Sequence, residues 1–198
     1  MTVVFLALTT MEIINTLAQV GSFLVVLMAA VAAIVQLRHL RASNELEALL
    51  TLTDQLRLPD LQQAFKFVQI DLADRLGEPA YRAELARIGY IDSSAHPEME
   101  VCNWFNEVGT LVKNGLIDES TFLDLFARLV TYYWMLLEPV IALLRRQRGA
   151  GQYENFEYLA QLAHVWKQRH PSGSYPRRTP RLPIRDPWLA ADGEAQAP

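Results

Sequence analysis

Residues 20–37 read VGSFLVVLMAAVAAIVQL, and this run decides the fold. It sits inside a stretch of 25 residues, between Glu12 and Arg38, that carries no formal charge. A backbone placed in hydrocarbon must satisfy its own hydrogen bonds, which a single helix does. At about 1.5 Å per residue, roughly 20 residues cross a hydrocarbon core of about 30 Å, so a helix over residues 16–38 suffices to span a bilayer. A buried core helix would show a polar stripe or a shorter run. A cleaved signal peptide is the rival, because Ala30-Val31-Ala32 has the small-x-small form of a cleavage site. Against it, no Lys or Arg lies upstream, and the apolar run continues through Ile34, Val35 and Leu37.

Arg38, His39 and Arg41 flank the C-terminal side of the run, and no basic side chain flanks the other. The positive-inside rule then predicts a short outer N-terminus and a main domain in the cytoplasm, at the cytoplasmic (inner) membrane. Residues 1–15 are themselves apolar enough to extend the helix or to lie in the interface, and Met11 is an alternative start. Small residues four apart, Ala18/Ser22 and Ala29/Ala33, would admit a second helix closely, although alanine is common in such helices anyway.

From Arg41 to His170 no two-residue alternation is sustained, and the apolar period is helical. Leu46, Leu49, Leu50, Thr53 and Leu56 continue the first helix, with a break expected near Ser43-Asn44. Pro59 restarts the chain, and Leu61, Ala64, Phe65, Val68, Leu72 and Leu76 form the next stripe. Pro79 suits the first turn of a short helix closed by Gly89. The predicted fold class is all-α. One N-terminal transmembrane helix (16–38) precedes a cytosolic helical domain (39–170) and an extended tail (171–198).

The richest stretch opens at His96-Pro97-Glu98-Met99-Glu100, where proline and acids suit a helix N-terminus. Val101, Trp104, Phe105, Val108, Leu111 and Val112 form its buried face, and Asn103, Glu107, Thr110 and Asn114 a polar one. Gly109 interrupts the interior at about 1 kcal/mol relative to alanine. Close approach of another helix backbone explains it best, and space for a ligand is the alternative. Gly115 ends the helix and Asp118 caps the next, predicting an antiparallel hairpin. In that second helix only Glu138 is charged between Arg128 and Arg145. Glu138-Pro139 near the middle makes it a poor membrane span. It reads instead as a central helix covered on several sides, or with one side kept for a partner or the membrane surface, and Pro139 should kink it.

Residues 103–118 (NWFNEVGTLVKNGLID), then Trp134 with Glu138-Pro139, then residues 153–160 (YENFEYLA) resemble a family of small prokaryotic single-pass membrane proteins with a helical domain of unknown function. The resemblance covers roughly residues 41–167, spacing between blocks included. It implies an architecture, a membrane anchor with a cytosolic bundle, and no activity. The long proline-rich tail departs from the short ends of that family.

Chemistry is sparse. His39, His96, His164 and His170 form no metal-ligand pattern, and no Gly-rich loop has phosphate-binding form, so no metal and no cofactor is expected. Cys102 is single, which precludes an internal disulfide and a thiolate zinc cluster, and it lacks a neighbouring base. No catalytic residue is assigned. Glu98, Glu100, Glu107 and Glu138 read as solvated helix acids. Asn103 and Glu107, four apart, read as a hydrogen-bonded buried pair fixing helix register, with Lys113 or Tyr153 as partner. The alternative is a polar pocket around Asn103, Glu107, Gly109 and Lys113, serving an enzyme or small-molecule sensor. Trp134 and Glu138 complete the candidate contact residues.

The 198 residues are 51% hydrophobic and 20% charged, with a net charge of −4. Wholesale disorder is excluded, and nucleic-acid binding is disfavoured. That −4 conceals a segregation: residues 39–144 carry a net −8 and residues 145–185 a net +7. Arg145, Arg146 and Arg148 end the central helix, and Arg177, Arg178, Arg181 and Arg185 follow in a tail holding six of the ten prolines. With Arg38 and Arg41 these are the basic residues expected at the membrane surface, each worth about 1 kcal/mol near anionic headgroups. A solvated tail, or one wrapping its own acidic domain, is the alternative. The function expected is a membrane-anchored scaffold, adaptor or accessory subunit. Its partners would be the lipid bilayer and a protein partner or second copy.

Overall fold

The structure, a computed structural model, describes residues 2–176 and 178–188, without the side chains of residues 2–14, 16–18, 41 and 42. Seven helices and no strand occur among the described residues: α1 (Thr2–Gln55), α2 (Pro59–Ile70), α3 (Leu72–Gly77), α4 (Pro79–Leu85), α5 (Glu98–Lys113), α6 (Glu119–Arg148) and α7 (Glu154–Arg169).

α1 is a 54-residue helix, about 80 Å long at 1.5 Å per residue. It contains no proline, and its one glycine, Gly21, does not interrupt it. The break expected near Ser43-Asn44 is therefore absent; both residues are exposed, and neither lacks the backbone donor the helix needs. The portion from Gln19 is long and apolar enough to cross a membrane, and none of its apolar window is buried. α6 passes the same length and composition test, but 44% of its window is buried in the protein, as befits a core helix. Only the last turns of α1 enter the core, through Leu49 and Leu52, with Leu56 packed beside them.

Prolines set the next starts: Pro59 and Pro79 each stand at the first position of a helix, where a missing N–H costs nothing. The stripe read as one helix from Leu61 to Leu76 is divided at Asp71, with Ala64 and Val68 buried in α2 and Leu72 in α3. α4 closes at Leu85, four residues before Gly89, whose φ of 119° instead turns the loop toward α5.

α5, α6 and α7 form the heart of the bundle. α5 ends at a Schellman-like turn in which Gly115 takes φ 66° and the Leu116 amide donates to the Leu111 carbonyl at 3.0 Å. Asp118 caps α6, accepting from the Thr121 amide at 2.7 Å and from its hydroxyl at 2.6 Å. The expected tight connection is present, but α5 and α6 pack on each other less than each packs on α7. Pro139 lies inside α6 without ending it. Its side chain is exposed. α6 buries Phe122, Leu123, Val130, Tyr133, Leu137, Ile141 and Leu144. Leu125, Tyr132 and Met135 remain exposed on its other side.

Phe65, Trp104, Phe105, Tyr133, Trp134 and Phe156 make one aromatic cluster across four helices, Phe105 stacking on Phe156 at 4.6 Å. Offset and edge-to-face rings of this kind add roughly 0.5–1.5 kcal/mol per pair beyond burial.

Candidate functional site

α5 positions nearly all of the polar chemistry. Its first turn carries Glu98, whose side chain is fully buried. Both Glu98 oxygens accept from the Tyr81 hydroxyl of α4 at 2.7 Å, and Oε1 also lies 3.0 Å from Nδ1 of His96. The other ring nitrogen of His96, Nε2, lies 3.2 Å from Glu84 Oε2, and the imidazole sits 4.4 Å from the Tyr81 ring. A buried polar group is tolerated only when it is bonded on every side; here one acid, one phenol and one imidazole satisfy each other. Glu98 is thus the opposite of the solvated acid expected, and His96 is joined to two carboxylates. Burial first, and then the hydrogen bond to Glu98, push the Tyr81 hydroxyl far above the usual tyrosine range. The pattern legible in the sequence was His96-Pro97-Glu98, two groups two residues apart at a helix start; what hid it was their partners, 12 and 17 residues away on α4.

One turn on, Cys102 is buried, and desolvation raises its thiol far above the ordinary range. Tyr153 and Tyr133 are likewise raised by burial. All these shifts favour the neutral forms, the reverse of what activates a nucleophile. Among the described residues no group of three His, Cys, Asp or Glu side chains is placed to hold a metal ion.

The Asn103 and Glu107 side chains are exposed, so they are not the buried pair expected; α5 turns its apolar side inward and leaves this polar face at the rim. Asn103 has one of the two partners foreseen, accepting from the Tyr153 hydroxyl at 2.9 Å. Tyr153 precedes α7 in a left-handed conformation (φ 58°), a costly one for a bulky residue, held here by burial of its ring and by that bond. Gly109 is explained by backbone proximity: a Cβ there would fall 2.1 Å from the Asn155 carbonyl oxygen on α7. Lys113 reaches the same helix, at 3.1 Å from Asn155 Oδ1 and 3.7 Å from Glu154 Oε1. The four residues grouped as a pocket therefore separate, Gly109 and Lys113 forming the α5–α7 seam and Asn103 and Glu107 facing outward.

Outward lies a cleft of 930 Å³ between the end of α1, α2, the loop before α5 and one face of α5. Its apolar lining includes Leu58, Leu61, Phe67 and Trp104, and its polar lining includes Asp60, Glu100, Asn103 and Glu107, with no basic side chain. Trp104 is fixed there by its indole N–H donating to Gln55 at 3.0 Å. Trp134 and Glu138 line a separate groove of 570 Å³ with Glu157, Gln161 and His164 between α6 and α7.

The basic residues divide as well. Arg38, Arg146, Arg178 and Arg185 are exposed. Arg145 is instead drawn inward, 2.7 Å from Glu157 and donating to the Gln152 carbonyl at 2.9 Å, while Arg148 donates to the Gly89 carbonyl at 2.8 Å. Both tie down the loops beside the end of α6, whose carbonyls need donors. Arg181 lies over the Tyr175 ring at 4.8 Å and donates to the Ser172 carbonyl. Arg177 and the Arg41 side chain lie outside the described residues.

No curated protein and no solved structure matches this chain. A family model described as Domain of unknown function (DUF4760) matches residues 23–163, from inside the apolar run of α1 to inside α7, leaving the basic tail beyond it. With well over half of its length matched, the chain belongs to this family, DUF4760.

Proposed function

We propose that the chain is a membrane-anchored helical scaffold, adaptor or accessory subunit that works by protein–protein contact at the cytoplasmic membrane surface. The observation that carries the reading is α1. Its apolar stretch is wholly exposed, yet the same uninterrupted helix ends with Leu49 and Leu52 in the bundle core. A helix exposing that much apolar surface needs lipid or protein around it. About 16 Å of helix between Arg38 and Leu49 would hold the bundle off the bilayer as a stem. Arg38, exposed at the end of the apolar run, supports a cytoplasmic bundle. The contact surface is assigned to the outer side of α6, where Leu125, Tyr132 and Met135 are exposed.

Membrane fractionation with protease added outside intact cells tests the anchor: the chain should pellet with membranes, and the domain after Arg38 should be spared. Affinity capture in mild detergent tests the contact. A strictly monomeric chain that retains no partner, or a domain digested from outside, would overturn the reading.

A second reading, a membrane-tethered enzyme or small-molecule sensor, is favoured by one observation, the concave cleft lined by Asn103 and Glu107. Lys113, the third residue of that reading, is not among the cleft residues. Ligand-dependent thermal stabilisation abolished by Glu107→Ala would support it.

A further inference from the structure

The cleft beside α5 has an unbalanced charge. Asp60, Glu100 and Glu107 line it, no Lys, Arg or His does, and none of these three carboxylates makes a salt bridge or a side-chain hydrogen bond among the described residues. Its floor is apolar, with Trp104 locked against Gln55 and Phe67, Leu58 and Leu61 opposite. A pocket built this way suits an occupant with cationic groups at fixed intervals and apolar side chains between them.

The same chain carries such a segment. Residues 178–188 leave Arg178 and Arg185 exposed, and Leu182, Ile184 and Trp188 are 84%, 94% and 68% exposed. Pro180, Pro183 and Pro187 bias the segment to an extended polyproline form. The spacings agree. Glu100 and Glu107 are seven residues apart on one face of α5, about 10 Å at 1.5 Å per residue. Arg178 and Arg181 are three residues apart, one polyproline turn, and so share a face, about 9 Å from each other at 3.1 Å per residue. Reach agrees too: from His170 to Arg181 the extended chain covers about 34 Å, comparable with the roughly 36 Å breadth of a compact domain of about 130 residues, whose radius of gyration is about 14 Å.

We infer that the cleft between α2 and α5 is a docking site for a basic, extended peptide with apolar side chains between its arginines, and that its occupant is the chain's own residues 178–188. Arg178 and Arg181 face Glu100 and Glu107, Ile184 on the same face settles on Trp104 and Phe67, and Arg185, on the neighbouring face with Leu182, meets Asp60. Docking requires the tail to release Ser174 from the Asp124 carboxylate, Tyr175 from the Pro180 carbonyl, and Arg181 from the Tyr175 ring and from the Ser172 carbonyl, which it now holds at 2.7 Å. This inference rests on the protein-contact reading above and adds to the outer side of α6 a second surface, one that opens or closes with the tail.

The test uses the full chain in discs of zwitterionic lipid, with benzoylphenylalanine in place of Ile184. Irradiation should attach the tail to peptides spanning 55–67 or 100–107 of the same molecule. The yield should fall about tenfold in 0.5 M salt, or in the combined variant Asp60→Asn, Glu100→Gln, Glu107→Gln, because exposed charge pairs are weakened by both. The substituted side chains are on the rim, so an unchanged melting temperature verifies that the variant folds. Attachment only to lipid, to a second copy or to another face of the bundle overturns the inference, as does a yield indifferent to the three neutralisations. The two readings separate in one preparation. Partner capture without cleft attachment removes the tail inference alone, whereas cleft attachment in a chain that fails to fractionate with membranes removes the anchor and leaves the docking site.

Discussion

Replacing Gly109 by alanine puts the packing of α5 on α7 to a quantitative test. The added Cβ would lie 2.1 Å from the Asn155 carbonyl oxygen, 2.7 Å from its carbonyl carbon and 3.3 Å from its Cβ. The obstacle is mainly backbone in the first turn of α7, so no rotamer change clears it. Restoring ordinary contact at about 3.4 Å requires α7 to withdraw by about 1.3 Å, and overpacking of this kind costs about 1–3 kcal/mol. The same displacement strains the Tyr153–Asn103 and Asn155–Thr110 hydrogen bonds, both 2.9 Å long, at about 0.5–1.5 kcal/mol each. Against this stands the better helix propensity of alanine, about 1 kcal/mol. The net expectation is a loss of about 1–5 kcal/mol, or roughly 2–20 °C in melting temperature for a chain of this length. Tryptophan fluorescence during urea or thermal unfolding of the detergent-solubilised chain reads this directly, since Trp104 and Trp134 belong to the affected cluster. Gly77→Ala is the control, because nothing lies within 4 Å of the added Cβ; it should be neutral or stabilising by up to about 1 kcal/mol. A Gly109→Ala protein that melts at or above the parent temperature would refute the argument.

Three further outcomes follow from the same contacts. Glu98→Ala strands the Tyr81 hydroxyl and His96 Nδ1 in a dry site and should cost about 2–5 kcal/mol in urea unfolding, with Glu98→Gln milder because it retains one acceptor. Cys102 should resist thiol reagents at pH 8 and react fully only in denaturant, since burial both hides the sulfur and raises its pKa. Asp118→Ala should destabilise by about 1 kcal/mol at neutral pH. The hydrogen bonds from the Thr121 hydroxyl and then its amide depress the Asp118 pKa in the folded state. Their contribution is therefore complete above the unfolded value near 4 and lost as pH falls through the lower folded one. The difference between Asp118→Ala and the parent should vanish in acid melts.

The candidate sites were legible in unequal measure. The reason for Gly109 could be stated in advance because few explanations suit a glycine inside an amphipathic helix, and close backbone approach is one. The caps at Gly115 and Asp118 were likewise legible, since such motifs involve residues only a few apart. The Tyr81–Glu98–His96–Glu84 network and the inward turn of Arg145 and Arg148 were not. Each depends on where a loop returns after 12 to 61 residues, and sequence spacing does not encode that return. The grouping of Asn103, Glu107, Gly109 and Lys113 divides for the same reason. Helical spacing gathers those residues on neighbouring faces, but α7 occupies one face and leaves the other to the cleft.

The sequence by itself determined the helical class, because apolar periodicity, prolines at helix starts and a long uncharged run are local properties that each segment carries with it. It also determined the separation of an acidic body from a basic tail, since charge is additive along the chain. Tertiary structure alone set how completely each apolar helix is covered: the apolar part of α1 is bare, whereas 44% of that of α6 is buried by other helices. Only the tertiary structure decided which acids are solvated and which cations are free. Burial is set by neighbours brought together across the chain, and desolvation changes what the same side chain can do.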